Sequence, residues 1–263
     1  MTGRSTRGAA RLLTLTITTT LALTPTALAE QPATLSVRLT PEHLGAGTTI
    51  AFAFKISAPR GQVPEPIEAL DLRYPAKLGL LTSGLGLTNC SPATLELIGP
   101  KGCPTNSLMG HGNALVEIAF GPEVLHETGQ ITVWMGPVED GHVTLLFDAE
   151  ANTPVYDQLI FTGSILESTG PYGGELDTII PPIASLPGAP DGAVAEMHTT
   201  IGAQGITYYR HHHGKWTPYQ PEGLRLPHTC PHPGFPFAAT FSFHNHTHTT
   251  SHTTVPCPHQ SPG

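Results

Sequence analysis

Phe235-Pro236-Phe237-Ala238-Ala239-Thr240-Phe241-Ser242-Phe243 carries Phe, Phe, Ala, Phe and Phe on its odd positions. An apolar residue at every second place marks a strand with one buried face, because successive side chains of a strand point to opposite sides. The same alternation recurs upstream at Leu35, Val37 and Leu39, and again at Ile50, Phe52, Phe54 and Ile56. Leu70 and Leu72 alternate with Asp71 and Arg73 until Pro75 stops the run. Further strands are predicted over 115–120, 131–135, 143–147, 159–165, 194–201, 206–209 and 247–255, with turns at Gly121-Pro122, Gly136-Pro137 and Asp140-Gly141. With 28 Gly and 27 Pro, the chain has little room for long helices. The expectation is an all-β fold, a β-sandwich of jelly-roll or immunoglobulin-like type.

Pro171, Pro181, Pro182, Pro187 and Pro190 crowd the stretch between a run ending near Glu167 and the strand starting near Ala193. Residues 30–167 are therefore expected to form an amino-terminal sandwich and 193–263 a second β unit ending in a His-rich hairpin. Residues 168–192 are read as a Pro-rich linker, or as a crossover within one body.

Arg4, Arg7 and Arg11 precede an uncharged stretch over 12–28 that closes in Ala27-Leu28-Ala29. This pattern predicts a signal peptide over 1–29 with an Ala-x-Ala cleavage site, so that the mature chain begins at Glu30. The many Thr in the stretch argue against a membrane-spanning helix, and no second candidate span follows. A secreted, extracellular or cell-surface location is expected. The 12 basic and 20 acidic residues give a formal net charge of -8 with no basic patch, which argues against nucleic acid or anionic lipid as partner.

Four cysteines in an exported chain imply disulfides. Of the three pairings open to them, Cys90 with Cys103 and Cys230 with Cys257 is favoured, because each pair flanks a compact, turn-rich segment. A zinc site would call for tight Cys-x-x-Cys spacing, which none of the four has.

Two stretches carry a resemblance. One is Gly99-Pro100-Lys101-Gly102-Cys103-Pro104, with Asn106-Ser107 and Gly110-His111-Gly112-Asn113-Ala114; the other is Phe235 to Phe241 with Val255-Pro256-Cys257-Pro258. Together they resemble a group of secreted bacterial all-β proteins to which no activity is attached. The resemblance implies a two-part exported β protein with disulfides and nothing more. Where such proteins tend to have a short Asp-Gly turn, this chain has His244-Asn245-His246-Thr247-His248.

Of the 15 histidines, 11 lie from His198 onward. If 244–248 were one extended strand, His244, His246 and His248, with His252 beyond, would share a face and could bind zinc or copper, which favour imidazole nitrogen. A tight turn near residue 245 would break that alternation and leave the imidazoles on a solvated hairpin. His211-His212-His213 is read as an exposed strand end, and Tyr208, Tyr209, Trp216 and Tyr219 around it as packing or as a ligand platform.

Asp148 with Glu150, and Glu175 with Asp177, each set two carboxylates on one strand face. A glycosidase needs such a pair about 5–9 Å apart across a cleft, which neighbours on one strand do not supply. There is no Gly-x-Ser-x-Gly elbow and no phosphate-binding loop, and His126-Glu127-Thr128-Gly129 lacks the second His of a zinc protease helix.

The leading expectation is an exported, non-enzymatic protein that binds an extracellular or cell-envelope ligand or has a structural role there, with no catalytic residues and no cofactor. The alternatives are zinc or copper binding through the His tract, and a secreted carbohydrate-active hydrolase whose carboxylates are assembled across strands.

Overall fold

The computed structural model describes residues 31–80, 88–152, 156–185 and 187–258, so the cleavage positions Ala27, Ala29 and Glu30 lie outside the described residues. In chain order the strands are β1 (Ala33–Thr40), β2 (Gly47–Ile56), β3 (Ile67–Pro75), β4 (Gly79–Leu80), β5 (Leu108–Phe120), β6 (Glu123–Met135), β7 (Val143–Ala151) and β8 (Asp157–Glu167). There follow β9 (Tyr172–Ile179), β10 (Ala193–Ile201), β11 (Tyr208–His212), β12 (Lys215–Tyr219), β13 (Leu224–Arg225), β14 (Gly234–Phe243) and β15 (His248–Pro256). The one α-helix among the described residues, α1 (Pro92–Ile98), precedes β5. The protein is all-β with two disulfides.

One antiparallel sheet runs β15-β14-β3-β9-β8-β7-β6-β5-β10-β2, and β1 pairs on β2. β1 also lies against β15, and Thr249 Oγ1 donates to the carbonyl of Gln31 at 2.8 Å. The sheet thus nearly closes on itself around its main core. Its hairpins form where the chain can reverse tightly; Asp140 and Gly141, at φ 50° and 82°, make the turn into β7. β11 and β12 form a separate two-stranded hairpin.

The alternating residues read from the sequence face inward. Phe235, Phe237, Phe241 and Phe243 are all but fully buried, and Phe241 meets Phe54 of β2 edge-on at 4.9 Å between ring centroids. Phe147 stacks on Phe161 at 5.0 Å. β5 approaches β10 closely at Gly110, where any Cβ would overlap the carbonyl oxygen of Thr200.

Three features complete the fold. The stretch 168–192, read as a linker or a crossover, begins with β9, paired with β8 and β3, and the chain then crosses to β10. Strands from both expected units are interleaved, β10 between β2 and β5 and β14 beside β3, so they pair within one sheet, while β11 and β12 stay apart from it. The Cys90–Cys103 loop covers an outer face of the sheet. Ser91 caps α1 by accepting from the Thr94 amide at 3.1 Å, and Leu95, with no exposed surface, packs against Trp134 of β6 and Leu146 of β7.

Candidate functional site

Along β6, Leu125, Gly129, Ile131, Val133 and Met135 occupy the inward positions, and Glu127 interrupts them on the same face. Glu127 is only 6% exposed, and its Oε1 has no hydrogen-bond partner among the described residues. Asp157, which opens β8 opposite Ala151, lines the same space. Ala114, Gly129, Ala149 and Ala151 are too small to fill it and leave a cavity of ≈ 60 Å³. Glu150 also borders it, and the rest of the wall is apolar and includes Phe54, Ile131, Leu159, Phe161, Ile180 and Met197. Burial first, and the charge of Asp157 second, push the Glu127 carboxyl above its usual range.

The sheet interior contains a second cavity of equal volume, bounded by Phe52, Leu72, Leu145, Leu176, Leu224 and Phe237 among others, with no carboxylate in its wall. An acid is therefore not a general property of this interior. Sequence reasoning met Glu127 only as part of a failed zinc motif. The available signal was an acid on the apolar face of a period-2 strand.

The acidic pairs separate. Asp148 is buried on the outer face, where Gln158 Nε2 donates to its Oδ1 at 2.8 Å. Burial raises its pKa against that hydrogen bond, and burial together with the Asp148 charge raises that of Glu150. Asp177 of β9 stands directly opposite Asp71 of β3. The two carboxyls share a hydrogen bond, and the Asp71 pKa rises to about 6. Burial is the main cause, then the contact with Asp177 and the charge of Glu175, while Arg73 opposes them. Carboxyls in hydrogen-bond contact leave no room for a glycosidic bond, which needs a separation of about 5–9 Å.

The histidine tract is not an extended strand, which corrects the geometry expected for zinc or copper. β14 ends at Phe243, the His246 amide donates back to the Phe243 carbonyl at 2.8 Å, and His246 adopts φ 64°. Asn245 Oδ1 accepts from the Thr247 amide at 2.9 Å, so the asparagine itself builds the turn. His244 and His246 thus lie in the connection, while His248 and His252 sit four residues apart on β15. That is about 13 Å along a strand, too far to share one ion held at about 2 Å. Among the described residues no three His, Cys, Asp or Glu side chains are grouped to hold a metal. His211 and His212 are exposed on the β11–β12 hairpin, and His211 lies edge-on to Trp216, 5.3 Å away. Tyr208 is instead a buried anchor whose hydroxyl donates to the Leu108 carbonyl.

Both expected disulfides form: Cys90 with Cys103, which brackets α1, and Cys230 with Cys257, which joins the approach to β14 to the end of β15. No family model, curated protein or solved structure matches this chain.

Proposed function

We propose that the chain is an exported, non-enzymatic binding protein that takes a small ligand with an apolar body into the cavity beneath Glu127. The nearly closed sheet is read here as a flattened, sandwich-like body, a reading supported by the contact of Phe54 with Phe241 across the interior. One observation carries the binding function: a carboxylate, 6% exposed, with an oxygen that has no hydrogen-bond partner among the described residues, in the wall of a largely apolar cavity. Burying such a group without a partner costs stability, and native interiors seldom keep one without a use. Export is supported by the signal-like amino terminus and by the two disulfides.

The test is methyl NMR on the mature protein titrated with four-carbon probes. Saturable shifts confined to Ile131, Leu159 and Met197 are expected; no saturable shift with any probe would overturn the reading. Mass spectrometry of protein recovered from the medium of an expressing bacterium tests export. An amino terminus at Glu30 is expected, and retention of residues 1–29 in the cell fraction would refute it.

A further inference from the structure

We propose that the cavity beneath Glu127 is a site for a primary alkylammonium group; this assignment rests on the cavity reading above. The interior face of β6 offers Glu127 no donor. Its near neighbour Asp157 adds negative charge instead of compensating it, and among the described residues the Oε1 has no partner. Lys55 is engaged elsewhere, in a pair with Glu196, and His126 contacts Glu117 at 3.4 Å. The complement missing from the site is therefore a positively charged donor.

The cavity also determines what kind of cation enters. A hard metal ion takes about six to eight oxygen ligands, and here Glu127 and Asp157, with Glu150 bordering from the other face of β7, meet walls that are otherwise apolar. An ammonium supplies three N–H donors on a compact head, enough for the two carboxylates, and an alkyl tail suits Phe54, Ile131 and Leu159. Since an apolar cavity of roughly 150 Å³ holds benzene, the ≈ 60 Å³ available takes about two or three heavy atoms, an ammonium head and the first carbons of its chain. n-Butylammonium carries such a head on a slender chain. A planar guanidinium with its stem is too large. The second interior cavity, equal in volume but lacking an acid, has no means of preferring a cation.

The experiment titrates n-butylammonium, n-butanol and butyrate into the mature protein by methyl NMR, with CaCl₂ as competitor. A charge-assisted contact to a buried carboxylate predicts that the ammonium binds about ten- to hundredfold tighter than the alcohol, while butyrate gives no saturable shift. In Glu127→Gln, which keeps the side-chain volume, ammonium affinity should fall to within about twofold of the alcohol, with butanol affinity unchanged. Gly129→Leu should block both, because an added Cβ at Gly129 meets nothing nearer than 3.7 Å and the side chain fills the space.

Equal affinity for ammonium and alcohol, or an unchanged ammonium affinity in Glu127→Gln, overturns the cation assignment and leaves the cavity reading intact. No saturable binding by any probe removes both. Displacement of n-butylammonium by Ca²⁺ at equal concentration overturns the proposal in favour of a metal. Nα-acetyl-lysine amide separates two sources of the same group: tighter binding than n-butylammonium supports a lysine side chain of a partner, and weaker binding supports a free amine.

Discussion

Replacing Asp71 with Asn should stabilise the protein at neutral pH and leave it nearly unchanged in acid. Asp71 and Asp177 face each other on β3 and β9 and share a hydrogen bond, so one of the two must hold a proton for the contact to be favourable. In the fold the Asp71 carboxyl titrates at about 6 instead of 3.8. A raised carboxyl pKa means that the native state binds the proton more tightly than the unfolded chain does. The stabilisation is therefore complete below the unfolded value of 3.8 and is lost as pH rises through about 6. A shift of this size corresponds to about 3 kcal/mol at 1.36 kcal/mol per pH unit. Solvent screening at this half-buried site reduces it to about 1–1.5 kcal/mol.

An Asn amide donates to Asp177 at any pH and removes that loss. For a chain of this size 1 kcal/mol moves Tm by about 2–4 °C. Calorimetry of Asp71→Asn should then show a Tm about 2–5 °C above wild type at about pH 7.5, and a gap under about 1 °C at about pH 4. Asp177→Asn should do the same, and the double variant should gain no more than either alone, because both relieve one repulsion. A lower Tm at pH 7.5, or the same offset at both pH values, would refute the reasoning.

Truncating the outer core should be costly: Leu95→Ala empties a site with no exposed surface against Trp134 and Leu146, and is expected to lose about 2–5 kcal/mol by urea unfolding. Replacing both Cys230 and Cys257 with Ser opens a loop with a separation of 27 residues; the loss expected from chain entropy is about 3.5 kcal/mol, read as a lower urea midpoint. Tyr208→Phe strips the donor from the Leu108 carbonyl and should cost about 1–2 kcal/mol. Because Leu108 lies in β5, hydrogen exchange should speed up there and on the β11–β12 hairpin while β14 stays protected; uniform acceleration would show that Tyr208 does not act locally.

Strands whose side chains alternate cleanly, such as β2 and β14, were legible because period-2 burial is written in neighbouring residues. β9 was not, because Gly173, Gly174, Glu175 and Asp177 replace the apolar signal there, and its neighbours β3 and β8 supply the buried environment instead. α1 was hidden by its seven residues, too few for a helical period to show. The His tract read as one strand or one hairpin with equal ease until Asn245 turned the chain. Glu127 had a local signal, an acid in register with Leu125 and Ile131, but its meaning depended on a cavity whose walls come from six strands and the crossover after β9.

The sequence by itself determined the all-β class, the inward face of the strongest strands and, through compact spacing, the cysteine pairs. These are local properties of residues two apart or of short loops, where side-chain direction and chain reach leave few alternatives. Only the tertiary structure decided that β10 enters between β2 and β5, that Asp71 meets Asp177, and that Asp157 joins Glu127 beside an unfilled space. Strand pairing between distant segments depends on which apolar faces can be buried together over the whole chain, and no short window of sequence records that choice.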